Sequence, residues 1–494
     1  MMLWRVHWAD SVLSADAPGD GLWDADELSR REATSRVKPG SPFMTSPDGR
    51  ADPFMTAYFN SGSFRRLAQS SQRSYTDDYR TFFNFLWLRR KRWLETTTRD
   101  FEDYEDWRRR APNNPRLISG AKWVRECAAL KRLYEWAQQE NLIEATPIRT
   151  TVSRGRDGSI VEVVDGAAHD VRSSNVKWLT PRMWKLWRDV GLLGLTRDGA
   201  PDDTFHARNG DRNAAFADLL FESGLRRTEA ASLLTLEIPV NDGRSRYQWS
   251  RVAQAAAKYR SGRPFPVSSP TVGHLRAYQV TARADAVTAA RKSGRYNSIP
   301  DKWIVTKIEP SAGETTLYWT EEQSRRTRHM PLDQLRVDER MRLFKTTDDG
   351  LEPLWFWLGE GGLPFRSHSW EQVFSAATKR CRKMLGDGAP YCTPHSARHS
   401  FALVMLVAAE HATNSRFGLI ASERRDYEKL YGNPWRMVKD LLGHQSEETT
   451  RNVYLAPVRD VQVRTLLEGD LQQSVELLQA LALASGRVQD VVHV

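Results

Sequence analysis

PHSARHSFA at residues 394–402 and LLGHQSEETTRNVYL at 441–455 decide how this 494-residue chain is read. In the first stretch, Thr393 is a good N-cap and Pro394 suits the first helical position. His395, Arg398 and His399 then stand at i, i+3 and i+4, so their side chains project from one helix face. In the second, Gly443 ends the helix PWRMVKDLL and leaves His444 on a turn, after which Ser446 caps a helix carrying Tyr454. Attack on a phosphodiester without a metal needs a nucleophile, cations for the phosphate oxygens and a proton donor for the leaving oxygen. Each part has a candidate here, although a phenol with a pKa of about 10 needs neighbouring cations or a base to attack at neutral pH.

Alternatives stand beside each candidate. An isolated His-x-x-Arg is more often a pair that satisfies core carbonyls or an acid, and a tyrosine in an amphipathic helix is most often core. Cys381, Cys392, His395 and His399 offer metal-ligand chemistry, but the two cysteines are eleven residues apart where zinc sites favour close Cys-x-x-Cys spacing. No metal is expected. Upstream, GLRRTE places Arg226 and Glu229 three apart on the helix after Gly224, where a carboxylate can orient a guanidinium. By itself that is a common surface ion pair, and Arg227 is expected to face solvent or backbone. Lys258 lies in a basic turn with Arg260 and Arg263, either reaching a nucleic-acid groove or tipping a solvated hairpin.

Bulk properties frame these candidates. The length predicts two or three domains, and 40% hydrophobic content is ordinary for a protein with its own core. A formal charge of +10 suits a polyanionic partner, whether RNA, DNA or an anionic membrane surface. Three scattered cysteines make no disulfide framework and the N-terminus lacks a signal pattern, so a cytoplasmic, reducing compartment is expected. Apolar runs such as FALVMLVAA at 401–409 fall short of the roughly 20 residues that cross a bilayer.

The chain is expected to be mainly α with a small β-hairpin or sheet. Residues 1–55, rich in Gly, Pro, Ser and Asp, read as a loosely ordered extension. Residues 56–150 read as a bundle of four helices, with Tyr79, Phe82, Phe83, Phe85 and Leu86 on one stripe and Val124, Ala128, Leu130, Leu133 and Trp136 on another. A linker over 151–174, with a short strand at IVEVV, leads to a second domain over 175–460. That domain has a helix, a break at Gly224 and another helix, then a basic hairpin over 246–269. Its strand-like pieces KWIVTKI and TTLYWT lie in a segment near 285–350. Residues 461–494 read as a terminal helix whose apolar stripe docks on its own domain or on a neighbouring protomer.

The ordered set GLRRTE, basic hairpin, PHSARHSF, LLGHQS and TTRNVYL resembles the tyrosine recombinases, or phage-type integrases. Arg226 matches the family's first arginine, Lys258 its hairpin lysine, His395 and Arg398 its His-x-x-Arg pair, His444 the Leu-Gly-His histidine, and Tyr454 the nucleophile. The spacing of Lys258, Arg263 and Pro266 resembles the family's K-x-x-x-x-R-x-x-P. The resemblance covers roughly residues 60–460. Tyr454 stands ten residues after His444, one more than the commonest spacing, and Arg398 follows Arg226 by 172 residues, which implies an insertion near 285–350. The extension over 1–55 does not resemble an arm-site DNA-binding module.

The resemblance implies a helical core-binding domain followed by a mixed α/β catalytic domain. It implies a site-specific recombinase or integrase that cuts and rejoins double-stranded DNA through a 3′-phosphotyrosine, integrating or excising a mobile element. Arg226 and Arg398 would hold the non-bridging oxygens, Lys258 would protonate the leaving 5′ oxygen, His395 and His444 would assist, and Glu229 and His399 would support them. It implies no cofactor, a homo-tetramer in the synapse, an accessory DNA-bending or directionality factor and a nucleoid-associated location. The rival readings are a type IB topoisomerase-like enzyme and a catalytically inactive DNA-binding regulator.

Overall fold

The computed structural model describes residues 3–9, 40–114, 116–154, 160–164, 177–206, 208–311, 313–411, 433–448, 450–451, 453 and 488–489. The chain divides into two compact units, Met1–Arg172 and Ser173–Val494. Both are mainly α, and the second adds a five-stranded sheet.

The first unit is a helical bundle of Pro53–Asn60, Gly62–Arg65, Gln69–Leu88, Thr98–Arg109 and Gly120–Gln139. Its helices begin where side chains can accept the orphaned first-turn amides: Asp52 from Met55, Thr97 from Asp100 and Ser119 from Lys122. Tyr79, Phe82, Phe83, Phe85 and Leu86 are buried as their spacing requires. On Gly120–Gln139 the inward stripe is displaced: Val124 is 44% exposed and Ala128 is also exposed, while Trp123, Cys127, Leu130, Leu133, Tyr134 and Ala137 face the core. The larger indole at 123 takes the core position and turns the neighbouring valine outward. Two other expectations change. The 1–55 extension holds an antiparallel strand pair, Arg5–Trp8 with Pro42–Thr45, and Trp4 packs edge-on to Phe83 at 5.2 Å, so apolar residues fasten it to the bundle. Within 151–174, Thr150–Arg154 and Ile160–Val164 pair as a hairpin, which takes in IVEVV.

The second unit is built around Gly210–Ser223, buried from Ala214 to Leu220 on every face, as a central helix must be. Pro181–Gly191, Ser269–Val280, Ser369–Leu385 and Pro394–His411 accompany it, and Tyr247–Val252 pairs antiparallel with Arg263–Ser268 as the basic hairpin. The second helix expected after Gly224 is short, Arg227–Ala231. The 285–350 segment has strands at the strand-like pieces expected there. Its strands form a five-stranded sheet in the spatial order Thr327–Pro331, Glu314–Glu321, Trp303–Ser311, Leu343–Thr347, Gly350–Pro353, antiparallel except between the third and fourth. Trp303 stacks on Trp319 at 4.8 Å, and both join the same core as Leu233, Leu234 and Trp355. Val488–Gln489 pairs in parallel with Trp178–Leu179, so this part of 461–494 is strand rather than helix. The rest of 461–494 lies outside the described residues. No described helix is long and apolar enough to cross a membrane.

Candidate active site

Two helix C-termini create the site. Gly210–Ser223 ends at Gly224, in the left-handed region at φ 62°, with its amide donating to the Leu220 carbonyl at 3.2 Å. Pro434–Leu442 ends at Gly443, φ 64°, in a two-bond cap where Gly443 N–H donates to Asp440 and His444 N–H to Lys439, each at 3.1 Å. The last carbonyls of a helix have no partner of their own turn and carry partial negative charge. Here guanidinium groups fill that need. Arg263 Nε donates to Leu441 O at 2.7 Å, Arg398 Nη2 to Leu442 O at 2.6 Å, and Arg226 Nη2 to Gly443 O at 3.0 Å. Arg398 Nη1 also donates to Gly224 O.

Glu229 ties this cluster together. Its Oε1 accepts from Arg226 Nη1 at 2.8 Å, its Oε2 accepts from Arg263 Nη2 at 2.7 Å, and the same oxygen accepts the Arg226 backbone N–H at 2.8 Å. The carboxylate is fully buried, so the alternative of an ordinary surface pair does not hold. Desolvation raises its pKa, but the hydrogen bond and charge of Arg263, with the charges of Arg226 and Arg398, outweigh that and hold it down at about 2. Three guanidiniums against one carboxylate leave an excess of positive charge for an arriving anion.

Gly224 is constrained twice over. A left-handed residue is needed to end the helix, and a Cβ there would lie 2.3 Å from Phe401 Cδ1. Gly224→Ala is therefore expected to lower stability by roughly 2–5 kcal/mol, combining the left-handed penalty with overpacking. A denaturant midpoint unchanged from wild type would contradict the packing assigned to this turn.

The helix Pro394–His411 contributes the second wall. Thr393 caps it, with Ser396 N–H donating to Thr393 Oγ1 at 3.1 Å. His395 and His399 lie edge to face, ring centroids 4.1 Å apart, while Arg398 between them is 3% exposed. The carbonyl-satisfying alternative for this arginine holds, and the same guanidinium lines the cleft. His444 Nδ1 is 2.9 Å from Thr450 Oγ1. Desolvation first, then the adjacent charges, depress all three imidazoles: Arg398 and Arg226 act on His395; His395, Arg398 and His444 act on His399; Arg398, Arg226 and Arg263 act on His444. His399 and His444 fall to about 3. Without a bound anion they are neutral at pH 7, each with one donor and one acceptor nitrogen. Carbon-13 NMR should accordingly show both rings flat from about pH 5 to 8; titration near the ordinary histidine value would contradict this field.

Arg226, Lys258, His395, Arg398, His399 and His444 all line one cleft of about 1090 Å³. Lys258 stands exposed in the turn of the basic hairpin, its Nζ 4.9 Å from the Tyr259 ring centroid. Glu229 lies behind the cleft. Tyr454 lies outside the described residues; the residue before it, Val453, is helical and lines the same cleft. Sequence reasoning missed several contributors. Arg227 lines the cleft and pairs with the Glu371 and Ser367 side chains, in place of the solvent or backbone expected of it. Arg263, 5% exposed, is a structural partner of Glu229 rather than a tip cation. Lys379 and Arg382, three apart on Ser369–Leu385, add charge to the far wall, and only their helical spacing hinted at a shared face. Cys381 and Cys392 are buried thiols pushed up to about 12 by desolvation. No cluster of three or more His, Cys, Asp or Glu suited to a metal occurs among the described residues.

The cleft brings neutral imidazoles beside guanidiniums held by a buried carboxylate and by helix-end carbonyls. No family model and no curated protein matches the chain. Among solved structures, the Tn1549 transposon integrase in complex with transposon right end DNA is similar at 12% identity and a TM-score of 0.44, over 81% of this chain and 93% of that one. The XerH site-specific recombinase bound to palindromic difH is similar at 10% identity and a TM-score of 0.43, over 84% and 83%.

Proposed function

We propose that the chain is a tyrosine recombinase: a DNA strand transferase that cuts and rejoins double-stranded DNA at specific sites through a 3′-phosphotyrosyl intermediate. The observation that carries this reading is the convergence of Arg226, Arg398, His395, His444 and Lys258 on one cleft, with Val453 on its wall immediately before Tyr454.

The parts assign the steps. The scissile phosphate sits against Arg226 and Arg398, whose guanidiniums are held by Glu229 and by helix-end carbonyls and so need little rearrangement as charge builds on the oxygens. The Tyr454 oxygen forms a bond to phosphorus and gives its proton to a neutral imidazole, a role assigned to His395. The bond from phosphorus to the 5′ oxygen breaks, and that oxygen takes a proton from the Lys258 ammonium. His444 donates to a phosphate oxygen, and His399 supports His395. A 5′-hydroxyl from a second duplex then reverses the step and joins new partners. The helical unit Met1–Arg172 would supply core DNA contacts, and exchange between two duplexes calls for four copies of the chain, as in integration or excision of a mobile element.

The test is a nicked suicide duplex, drawn from DNA flanking the gene, whose short 5′ fragment diffuses away after attack. A trapped adduct that hydrolyses to phosphotyrosine supports the proposal. If every candidate duplex is bound but none forms an adduct, the chain is a DNA-binding regulator instead. Relaxation of one plasmid without exchange between paired sites would favour the topoisomerase reading.

A further inference from the structure

The turn that carries Lys258 is bonded both within its own hairpin and to a neighbouring turn. Tyr259 and Arg260, neither of them glycine, are consecutive residues in the left-handed region at φ 61° and 55°. Such a conformation persists only where the surroundings hold it. Within the hairpin, Arg260 N–H donates to Ala257 O at 3.1 Å, Ser261 N–H and Oγ donate to Lys258 O at 3.4 and 2.9 Å, and Ala257 N–H donates to Ala253 O at 3.0 Å.

Further supports come from the turn that follows the edge strand of the five-stranded sheet. Where the edge strand Thr327–Pro331 ends, the chain enters the turn Leu332–Gln334. Asp333 Oδ1 accepts the backbone N–H of Gln254 at 2.9 Å, and Gln334 Oε1 accepts from Arg260 Nη2 at 2.7 Å. This turn is itself clamped. Arg340, 1% exposed, donates to Leu332 O at 3.1 Å and Leu335 O at 3.0 Å, on either side of Asp333 and Gln334. The same guanidinium pairs with Glu237 at 2.7 and 2.9 Å and donates to Ser232 O at 3.2 Å, immediately after the short helix that holds Glu229. Polar bonds thus link the end of the Glu229 helix, through Arg340 and the turn Leu332–Gln334, to the lysine turn.

We infer that the sheet Trp303–Pro353 is a strut for proton transfer, in which Asp333 and Gln334 are positioning residues that aim Lys258 at the leaving 5′ oxygen. The inference rests on the proposed role of Lys258 and assigns the segment between Arg226 and Arg398 a task in the reaction. Neither residue touches the DNA phosphate in this scheme. Both act through Gln254 and Arg260 on the geometry of Lys258.

A sulfur substitution separates proton donation from every other contribution. In a duplex with a 5′-bridging phosphorothiolate at the mapped cleavage position, the phosphorus–sulfur bond breaks and a thiolate leaves without needing a proton. For the full-length Asp333→Ala/Gln334→Ala variant, cleavage of ordinary DNA is expected to slow on the order of 10- to 100-fold, the range that small misplacement of a reacting group produces. On the phosphorothiolate duplex it should match wild type. Lys258→Ala should show the same recovery, and Asp333→Asn, which keeps an oxygen for the Gln254 N–H, should stay near wild type on both substrates.

A double variant equally slow on both duplexes would place the defect in folding or DNA binding and overturn the inference, as would unchanged cleavage of ordinary DNA. Lys258→Ala without recovery would remove the proton-donor role and the inference with it. Adduct formation by wild type would still leave the recombinase reading standing, so the two failures are distinguishable.

Discussion

Tyr454→Phe is expected to eliminate the covalent DNA adduct while DNA binding persists. Phenylalanine keeps the ring but has no oxygen to bond to phosphorus, so loss of the nucleophile should cost on the order of 10⁴- to 10⁶-fold in cleavage. The needed controls come from the cleft itself, where the tyrosines among the described lining residues are Tyr259 and Tyr391, 61% and 40% exposed. Tyr259→Phe and Tyr391→Phe should still form the adduct on the suicide duplex. If Tyr454→Phe forms it and one of the others does not, the nucleophile is misassigned although the cleft is right. An adduct formed by all three variants would remove tyrosine chemistry from the proposal.

The second large effect concerns Glu229. Replacing a buried, doubly paired carboxylate leaves Arg226 and Arg263 facing each other and Arg398 without the compensating charge, and breaking buried pairs of this kind costs about 3–5 kcal/mol. Glu229→Gln is expected to lose that much in urea unfolding, with an unchanged m-value if the native fold is retained. Its amide would also bring donors against guanidinium donors, so shape alone gives no rescue. A loss below about 1 kcal/mol would mean that the guanidiniums are held by the helix-end carbonyls without help.

The same carboxylate sets an acid limit. Its folded pKa of about 2 lies below the ordinary 4.5, so it stabilises the native state fully above 4.5 and progressively less as pH falls from there through 2. The difference corresponds to roughly 3 kcal/mol, and Glu229→Gln should lack this component of the pH dependence. Chemical unfolding of both proteins between pH 2 and 7 measures it. A gap between the two proteins that stays constant over that range would refute the assignment.

Features controlled by neighbours in the chain were legible from the residues alone. Thr393 before Pro394, Gly224 after Ser223 and Gly443 before His444 act through backbone geometry within a turn, and each ends or begins a helix as the local chemistry requires. The i, i+3, i+4 spacing of His395, Arg398 and His399 likewise placed all three on the cleft. Apolar periodicity located the helices, though at Val124 it chose the wrong neighbour, because period alone cannot rank a valine against an adjacent tryptophan for the same pocket.

What the residues could not disclose was which opposite charges would meet. Arginine is compatible with solvent, a phosphate, a carbonyl or a carboxylate, and nothing local distinguishes Arg263, buried on Glu229, from Arg260, exposed at the turn. Tertiary structure decided that Arg227 would enter the cleft, that helix-end carbonyls at 441–443 would receive three guanidiniums, and that Asp333 and Gln334 of the 285–350 segment would bond Gln254 and Arg260 of the basic hairpin. The physical reason is range. Caps and amphipathic faces are set by torsions and contacts within a few residues, whereas the energy of a charge depends on which groups the completed fold brings within hydrogen-bonding distance and how much water it excludes there.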